Sequence, residues 1–177
     1  MIDQISKINP DCSWAFVTNA NYKFNEAISS RLDKIKIRWI QISMDSISEK
    51  VYEEIRIRGS FQKNQETFEA FLKFRDARHK AGRPIQIMTS MCVLQNNWQE
   101  LNKFIAFSYS KDALPILQYA YKPEHLSLSS LPKEKREEIL KYFSELREIY
   151  GAKLLDSIYL PLKDSLSGNS VEVQMIL

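Results

Sequence analysis

The chain is poor in the residues that most often announce a mechanism. Its 177 residues include two cysteines, two histidines and four glycines. Cys12 and Cys92 stand far apart, and no CxxC or CxxxCxxC spacing occurs. Local sequence therefore supplies no zinc site and no thiolate set for an iron–sulfur cluster. His79 and His125 have no partner at a ligand spacing, and no glycine-rich phosphate loop is present. No apolar run approaches the roughly 18–20 residues that span a bilayer. The amino terminus, MIDQISKINPDCSW, lacks the apolar core of a signal peptide. The net charge is only +3, with Lys and Arg interleaved among Asp and Glu rather than gathered in a stripe. These absences predict a cytoplasmic protein with neither nucleic acid nor membrane as a partner.

What is present is a rhythm. Four strand-like runs, Ser13–Asn19, Ile35–Asp45, Pro84–Leu94 and Leu114–Lys122, end in polar side chains. Each is followed by a segment with helical spacing of apolar residues. Repeated strand–helix units place strands parallel, and ligands collect at their carboxyl ends. With 44% hydrophobic residues the chain can bury one compact core. The expected fold class is α/β, an open or partial (β/α) barrel over residues 13–151. Residues 1–12 read as a lead-in and residues 152–177 as a tail.

Within the second run, Ile40, Ile42 and Met44 alternate with Gln41, Ser43 and Asp45. The apolar set is expected under helices and the polar set on the barrel interior. In the third run Gln86, Ser90 and Cys92 share a face. Helices are expected at about Phe24–Lys34, Ser46–Ile57, Phe61–Lys80, Asn97–Ser110 and Pro132–Tyr150. Ser46–Glu49 and Asn97–Glu100 have the form of capping boxes, and Gly59, Gly82 and Gly151 are stop signals. The last of these helices carries a stripe of Ile139, Tyr142, Phe143, Leu146 and Ile149. In the tail, LLDSIYLPL reads as a weak strand, KDSLSGNS as a polar turn and VEVQMIL as a short apolar end.

Asn19, Ser43, Asp45, Ser90, Cys92 and Lys122 thus fall at or near the carboxyl ends of four successive strands. Ser and Asp at such ends suit the hydroxyls of a ribose, since a carboxylate accepts from a diol and a hydroxyl donates and accepts. Arg56, one helix beyond Asp45, has a planar fork that fits a ligand carboxylate. Structural roles stand beside these. Asp45 and Ser46 also suit a helix start, Asn19 a turn, Arg56 and Arg58 a helix end, and Cys92 a small core residue. His79 suits the carboxyl end of its helix, and His125 a loop. Convergence on one rim is what favours the binding reading.

These motifs resemble the radical S-adenosylmethionine enzymes, and within them the branch with auxiliary clusters called SPASM or twitch proteins. The likeness is carried by TNAN after a strand, IQISMDS followed by VYEEIRIRGSF, and IQIMTSMCVLQNNWQEL, with YKPEHLSLSSLPKEKREEI beyond. It extends over about Trp14–Tyr150 and implies the carboxyl-terminal four β/α units of a six-stranded partial barrel. It further implies S-adenosylmethionine as cofactor. Ser43 and Asp45 would face its ribose, Arg56 its carboxylate, Ser90 and the Asn96–Asn97 corner the adenosyl or substrate side, and Thr18 and Asn19 the pocket border. The family holds a four-iron four-sulfur cluster on a CxxxCxxC loop that these residues lack, and Ala20 stands where the family often has Gly.

The resemblance therefore implies radical chemistry in a complete protein, with no catalytic and no metal-ligating residue assigned in this chain. The expectation is a fragment, split half or cluster-less member of the family. A further protein chain that completes the barrel is the implied partner, pairing with the free edge of the Trp14–Asn19 strand. Two alternatives stand: a non-catalytic α/β domain binding a nucleotide-like ligand or a protein, and an unrelated α/β interaction module.

Overall fold

A computed structural model describes residues 4, 7–9 and 11–167. Half of the expected lead-in, the last three residues of SGNS and all of VEVQMIL lie outside the described residues. Four parallel strands form one sheet in the order β1 (Ser13–Thr18), β2 (Lys36–Ser43), β3 (Gln86–Val93), β4 (Leu114–Tyr119). All three neighbour pairs are parallel. Between and after them come α1 (Glu26–Asp33), α2 (Glu49–Ile55), α3 (Phe61–Lys80), α4 (Leu101–Ser110), α5 (Lys133–Tyr150) and α6 (Ala152–Leu166).

The order of strands along the sheet is their order along the chain, as in a barrel rather than in a doubly wound sheet. The core confirms that one-sided arrangement. Ile40 and Ile42 of β2, Ile87, Met91 and Val93 of β3, and Leu117 of β4 are buried in a single cluster. Leu32 of α1, Phe68 and Phe71 of α3, Phe104 of α4, Phe143 of α5 and Ile158 of α6 join the same cluster. Every strand residue in it belongs to one face. The alternate residues, including Val17, Gln41, Ser43, Ser90, Cys92 and Leu114, lie on the other face, where Val17 is 64% and Leu114 44% exposed. The architecture is α/β, a four-stranded parallel sheet alternating with helices that cover one side, consistent with a partial β/α barrel.

Local chemistry explains most element ends. Asn25 caps α1 by accepting from the Ile28 N–H at 3.0 Å, and Ser60 caps α3 by accepting from Lys63. Gly82 and Gly151 have φ of +70° and +91°, the left-handed backbone that stops α3 and α5. No helix of the described residues is long and apolar enough to cross a membrane.

Four sequence expectations need correction. LLDSIYLPL is not a strand but the body of α6, because Leu155, Ile158 and Leu162 recur at helical spacing and are each fully buried. The first residues of the expected polar turn, Lys163–Leu166, end that helix. The fourth strand stops at Tyr119, so Lys122 lies beyond it and is exposed. Ile149, expected in the α5 stripe, is 67% exposed, while Ile139, Phe143 and Leu146 carry the packing.

Because α6 is built into the common core, Ile158→Ala is expected to destabilise the chain by about 2–5 kcal/mol, the cost of a buried Ile-sized cavity. Urea unfolding followed by far-ultraviolet circular dichroism checks this. An unchanged midpoint would mean that α6 is an independent appendage.

Candidate functional site

The carboxyl ends of β1, β2 and β3 are knitted together by side chains from distant parts of the chain. The alternation of β2 ends at Ser43. Met44 and Asp45 then both donate their N–H groups to the Ser90 carbonyl of β3, at 2.9 and 3.3 Å. Asp45 takes a left-handed φ of +56°, which an aspartate tolerates better than most residues. That turn removes Asp45 from the open face, where strict alternation would have put it, and buries it to 7% exposure.

Asp45 is the centre of the network. Its Oδ1 accepts from the Cys92 N–H at 2.8 Å and its Oδ2 pairs with Arg56 Nη2 at 2.6 Å. Its carbonyl accepts from Asn97 Nδ2 at 2.8 Å. Asn97, fully buried, also donates to the Cys92 carbonyl and accepts from the Leu94 N–H. The Arg56 guanidinium lies 5.9 Å from the centre of the buried Tyr52 ring, and its Nε is buried without a partner among the described residues. Gly59 leaves room for this helix end. A Cβ there would stand 2.8 Å from the Arg56 carbonyl oxygen and 2.9 Å from its Cβ.

A second set of bonds joins β1 to this centre. Asn64 of α3, fully buried, donates through Nδ2 to the carbonyls of Asn19 and Ser43 at 2.9 and 3.1 Å. Asn21 donates to the Tyr52 hydroxyl at 2.9 Å and accepts from the Ser60 N–H at 3.0 Å. Between them Ala20 is buried with φ of +51°, the backbone that glycine adopts at least cost. Ser46 does not form the expected capping box with Glu49, and the helix instead starts after Ser48, whose side chain makes no cap bond. Glu100 reaches in from the α4 side and accepts from Ser46 Oγ, Ser48 Oγ and the Ile47 N–H. Nor does Glu100 cap Asn97, whose side chain is committed to Asp45, Cys92 and Leu94.

The five residues singled out for binding therefore differ in availability. Ser43 and Ser90 are register neighbours on the face away from the helices, where Ser43 is half-buried and Ser90 is buried to 2% exposure, and neither hydroxyl has a hydrogen-bond partner among the described residues. Asp45 and Arg56 are brought together but bind each other. Asn19 uses its Oδ1 to accept from the Asn21 N–H at 3.1 Å, an Asx turn, and its side chain is exposed. Cys92 is half-buried on the open face in register with Gln118. Burial pushes its thiol above the ordinary value, and the Asp45 carboxylate adds to that against the pull of Arg56. Burial likewise raises the Tyr52 hydroxyl. His79 is not a site residue. Its Nε2 meets the Ile85 carbonyl at 2.9 Å.

Sequence reading missed Tyr52, Asn64 and the reach of Glu100. For Asn64 a signal exists: it shares the stripe of Phe68 and Phe71, where an amide has no place unless it binds something. The other two depend on contacts between residues far apart in sequence. Larger clefts lie elsewhere. One of about 470 Å³ sits at the amino ends of the strands and is lined by Asp33, Lys36, Arg78 and Arg83. Another of about 490 Å³ runs beside β4. The first reads as structural, because the Arg78 guanidinium donates to the carbonyls of Leu32 and Ile35.

A four-iron four-sulfur cluster does not fit these residues. Cys12 precedes β1 at its amino end while Cys92 lies in the carboxyl half of β3. Among the described residues no group of three or more His, Cys, Asp and Glu is placed to hold a metal.

No family model matches the chain, and no curated protein does. Among solved structures, the chain is similar to Streptococcus suis SuiB, in its crystal structure bound to S-adenosylmethionine, with 10% sequence identity and a TM-score of 0.46. The match covers 76% of this chain but only 30% of SuiB.

Removing Arg56 leaves the Asp45 carboxylate buried and unpaired. Arg56→Ala is expected to cost about 3 kcal/mol, the low end for breaking a buried pair because the guanidinium is partly exposed. Urea unfolding midpoints measure it, and a change within about 0.5 kcal/mol would remove the pair from the centre of the account. Alkaline pH supplies a second test. Cys92 and Tyr52 are acids whose folded values exceed their unfolded ones. Their contribution to stability is complete below the unfolded values and is lost as pH rises through the folded ones. Unfolding free energy is expected to fall as pH rises above about 8.5 through Cys92, and above about 10 through Tyr52 as well, and Cys92→Ala is expected to lack the earlier fall.

Proposed function

We propose that this domain is one wall of a radical S-adenosylmethionine-type barrel and that its carboxyl rim binds the nucleoside part of S-adenosylmethionine. The reading is supported by the sequence motifs Thr18–Asn21, Ile40–Ser46 and Ile85–Leu101, and by a barrel-like sheet whose rim those motifs form. The observation that carries it is the pair Ser43 and Ser90. The two residues are register neighbours on the face away from the helices, Ser43 half-buried and Ser90 buried, and neither hydroxyl has a partner among the described residues; two residues beyond Ser43 is Asp45, paired with Arg56.

In this reading the two hydroxyls donate to and accept from the ribose. Asp45 keeps spare lone pairs for a diol, since each of its oxygens accepts one bond of the two it can take. Arg56 recognises a ligand carboxylate only by sharing its fork with Asp45, so it contributes charge more than a dedicated bidentate clamp. Asn64 and Asn97 hold the strand ends at fixed spacing and act as positioning residues. Bound to a reduced cluster, S-adenosylmethionine supplies a 5′-deoxyadenosyl radical. The residues described here fit no such cluster, and no chemical step is assigned to them.

A second reading has its own observation. Asp45, Arg56, Asn19, Asn64 and Asn97 all satisfy partners within the chain, as they would in an α/β module whose rim serves only the fold. Calorimetric titration of the folded chain with S-adenosylmethionine separates the two. The binding reading expects saturable heat, and about tenfold weaker binding in a Ser43→Ala, Ser90→Ala double variant of unchanged stability. No saturable heat from the parent chain, or equal affinity in the double variant, would leave the rim structural.

A further inference from the structure

The groove beside β4 lies away from the carboxyl rim. It has a volume of about 490 Å³ and sits between the amino half of β4 and the junction of α5 with α6. Tyr109, Leu114, Ile116, Tyr150 and Leu154 give it an apolar and aromatic lining, and Lys153 is the one charged residue among those that line it. Tyr109 is 47% and Leu114 44% exposed, so the groove opens to water over apolar surface. The two tyrosine rings stand 6.2 Å apart, and the Tyr150 hydroxyl is anchored by donating to Asn102 Oδ1 at 2.7 Å.

The walls restrict what can enter. Pro115 offers no N–H, and the Leu117 carbonyl already accepts from the Ser157 hydroxyl at 3.0 Å. An extended peptide would therefore find neither of those backbone groups free. A helix, about 10 Å across, would rest on such a groove rather than enter it. A compact molecule is what a space of this volume holds. The charge is equally selective. Lys153 is exposed and has no ion-pair partner within 4.0 Å among the described residues, and the Asp156 carboxylate one turn on is taken by Arg147 Nε at 2.6 Å. The first turn of α6 contains no acidic residue to offset that ammonium. A flat apolar body with one anionic end complements both halves of the lining.

We infer that this groove binds a small aromatic carboxylate. Its ring packs on Leu114 and Leu154 and meets the two tyrosines in offset or edge-on contact, the arrangements that aromatic rings prefer. Its carboxylate accepts a charge-assisted hydrogen bond from the Lys153 ammonium. The inference rests on the groove alone and does not depend on what the rim binds.

The probe is 2-naphthoate, titrated into the ¹⁵N-labelled chain and followed by amide chemical shifts. Saturable shifts are expected at Leu114, Ile116, Leu117 and Leu154, with Thr18–Asn21 and Ser43–Ser46 unmoved. Lys153→Gln, a surface substitution that leaves the fold in place, is expected to bind about tenfold more weakly. Neutral 2-naphthamide should bind the parent chain as weakly as 2-naphthoate binds that variant, and should lose nothing further in Lys153→Gln. Decanoate, which keeps the charge and lacks the ring, should bind more weakly than 2-naphthoate. Absence of saturable shifts, shifts centred on the rim, or equal affinity of 2-naphthoate for the parent chain and Lys153→Gln would overturn the proposal. So would decanoate binding as tightly as 2-naphthoate, because an acyl chain would then be the occupant. Calorimetry with S-adenosylmethionine on Lys153→Gln keeps the two proposals apart, since rim binding there should match the parent chain.

Discussion

The structure turns on one buried carboxylate. Asp45 sits in a left-handed turn at the end of β2, and its three acceptor groups hold β3, the end of α2 and the loop before α4. A buried ion pair is weak support for stability in itself, because desolvation offsets most of the attraction. Its effect here is geometric. With Asp45 in place, Ser43 and Ser90 are fixed in register, the Cys92 amide is satisfied, and the backbone between β2 and α2 has one available path. Asn64 does the same for β1 without a charge, by holding the Asn19 and Ser43 carbonyls on one amide. The rim is consequently a rigid surface rather than a set of loose loops, which is what a binding constellation requires.

That rigidity also sorts the rim into two kinds of residue. Asp45, Arg56, Asn97 and Asn64 are committed to the protein, whereas Ser43 and Ser90 are not. The functional reading therefore shifts from charged groups, which first attract attention in the sequence, to two hydroxyls on the open face. The same face carries Cys92, whose thiol burial and the adjacent carboxylate push above its ordinary value, which disfavours the thiolate.

The sheet and most helices were legible because period and punctuation agree. Ile40, Ile42 and Met44 alternate with polar residues, and α3 begins at a serine cap and stops at Gly82, so both elements follow from local sequence. In α6 the local signals conflict. Pro161 argues against a helix interior and Ile158 and Tyr159 favour a strand, but the packing of Leu155, Ile158 and Leu162 against the core decides for a helix. The rim positions of Ser43 and Ser90 followed from strand ends. The Asp45–Arg56 bond did not, since a left-handed turn that redirects a side chain has no period to betray it. Glu100 shows the same limit: its partners lie about fifty residues away, and a capping-box pattern pointed to nearer ones.

The central claim is that the rim formed by β1, β2 and β3 is where a nucleoside-type ligand sits. The most direct measurement is a titration of the ¹⁵N-labelled chain with S-adenosylmethionine, followed by amide chemical shifts. The account predicts saturable shifts concentrated at Thr18–Asn21, Ser43–Ser46 and Ser90–Cys92, with the amino-end cleft around Arg78 and Arg83 unmoved. Shifts confined to that cleft or to the groove beside β4, or no saturable shift anywhere, would contradict it.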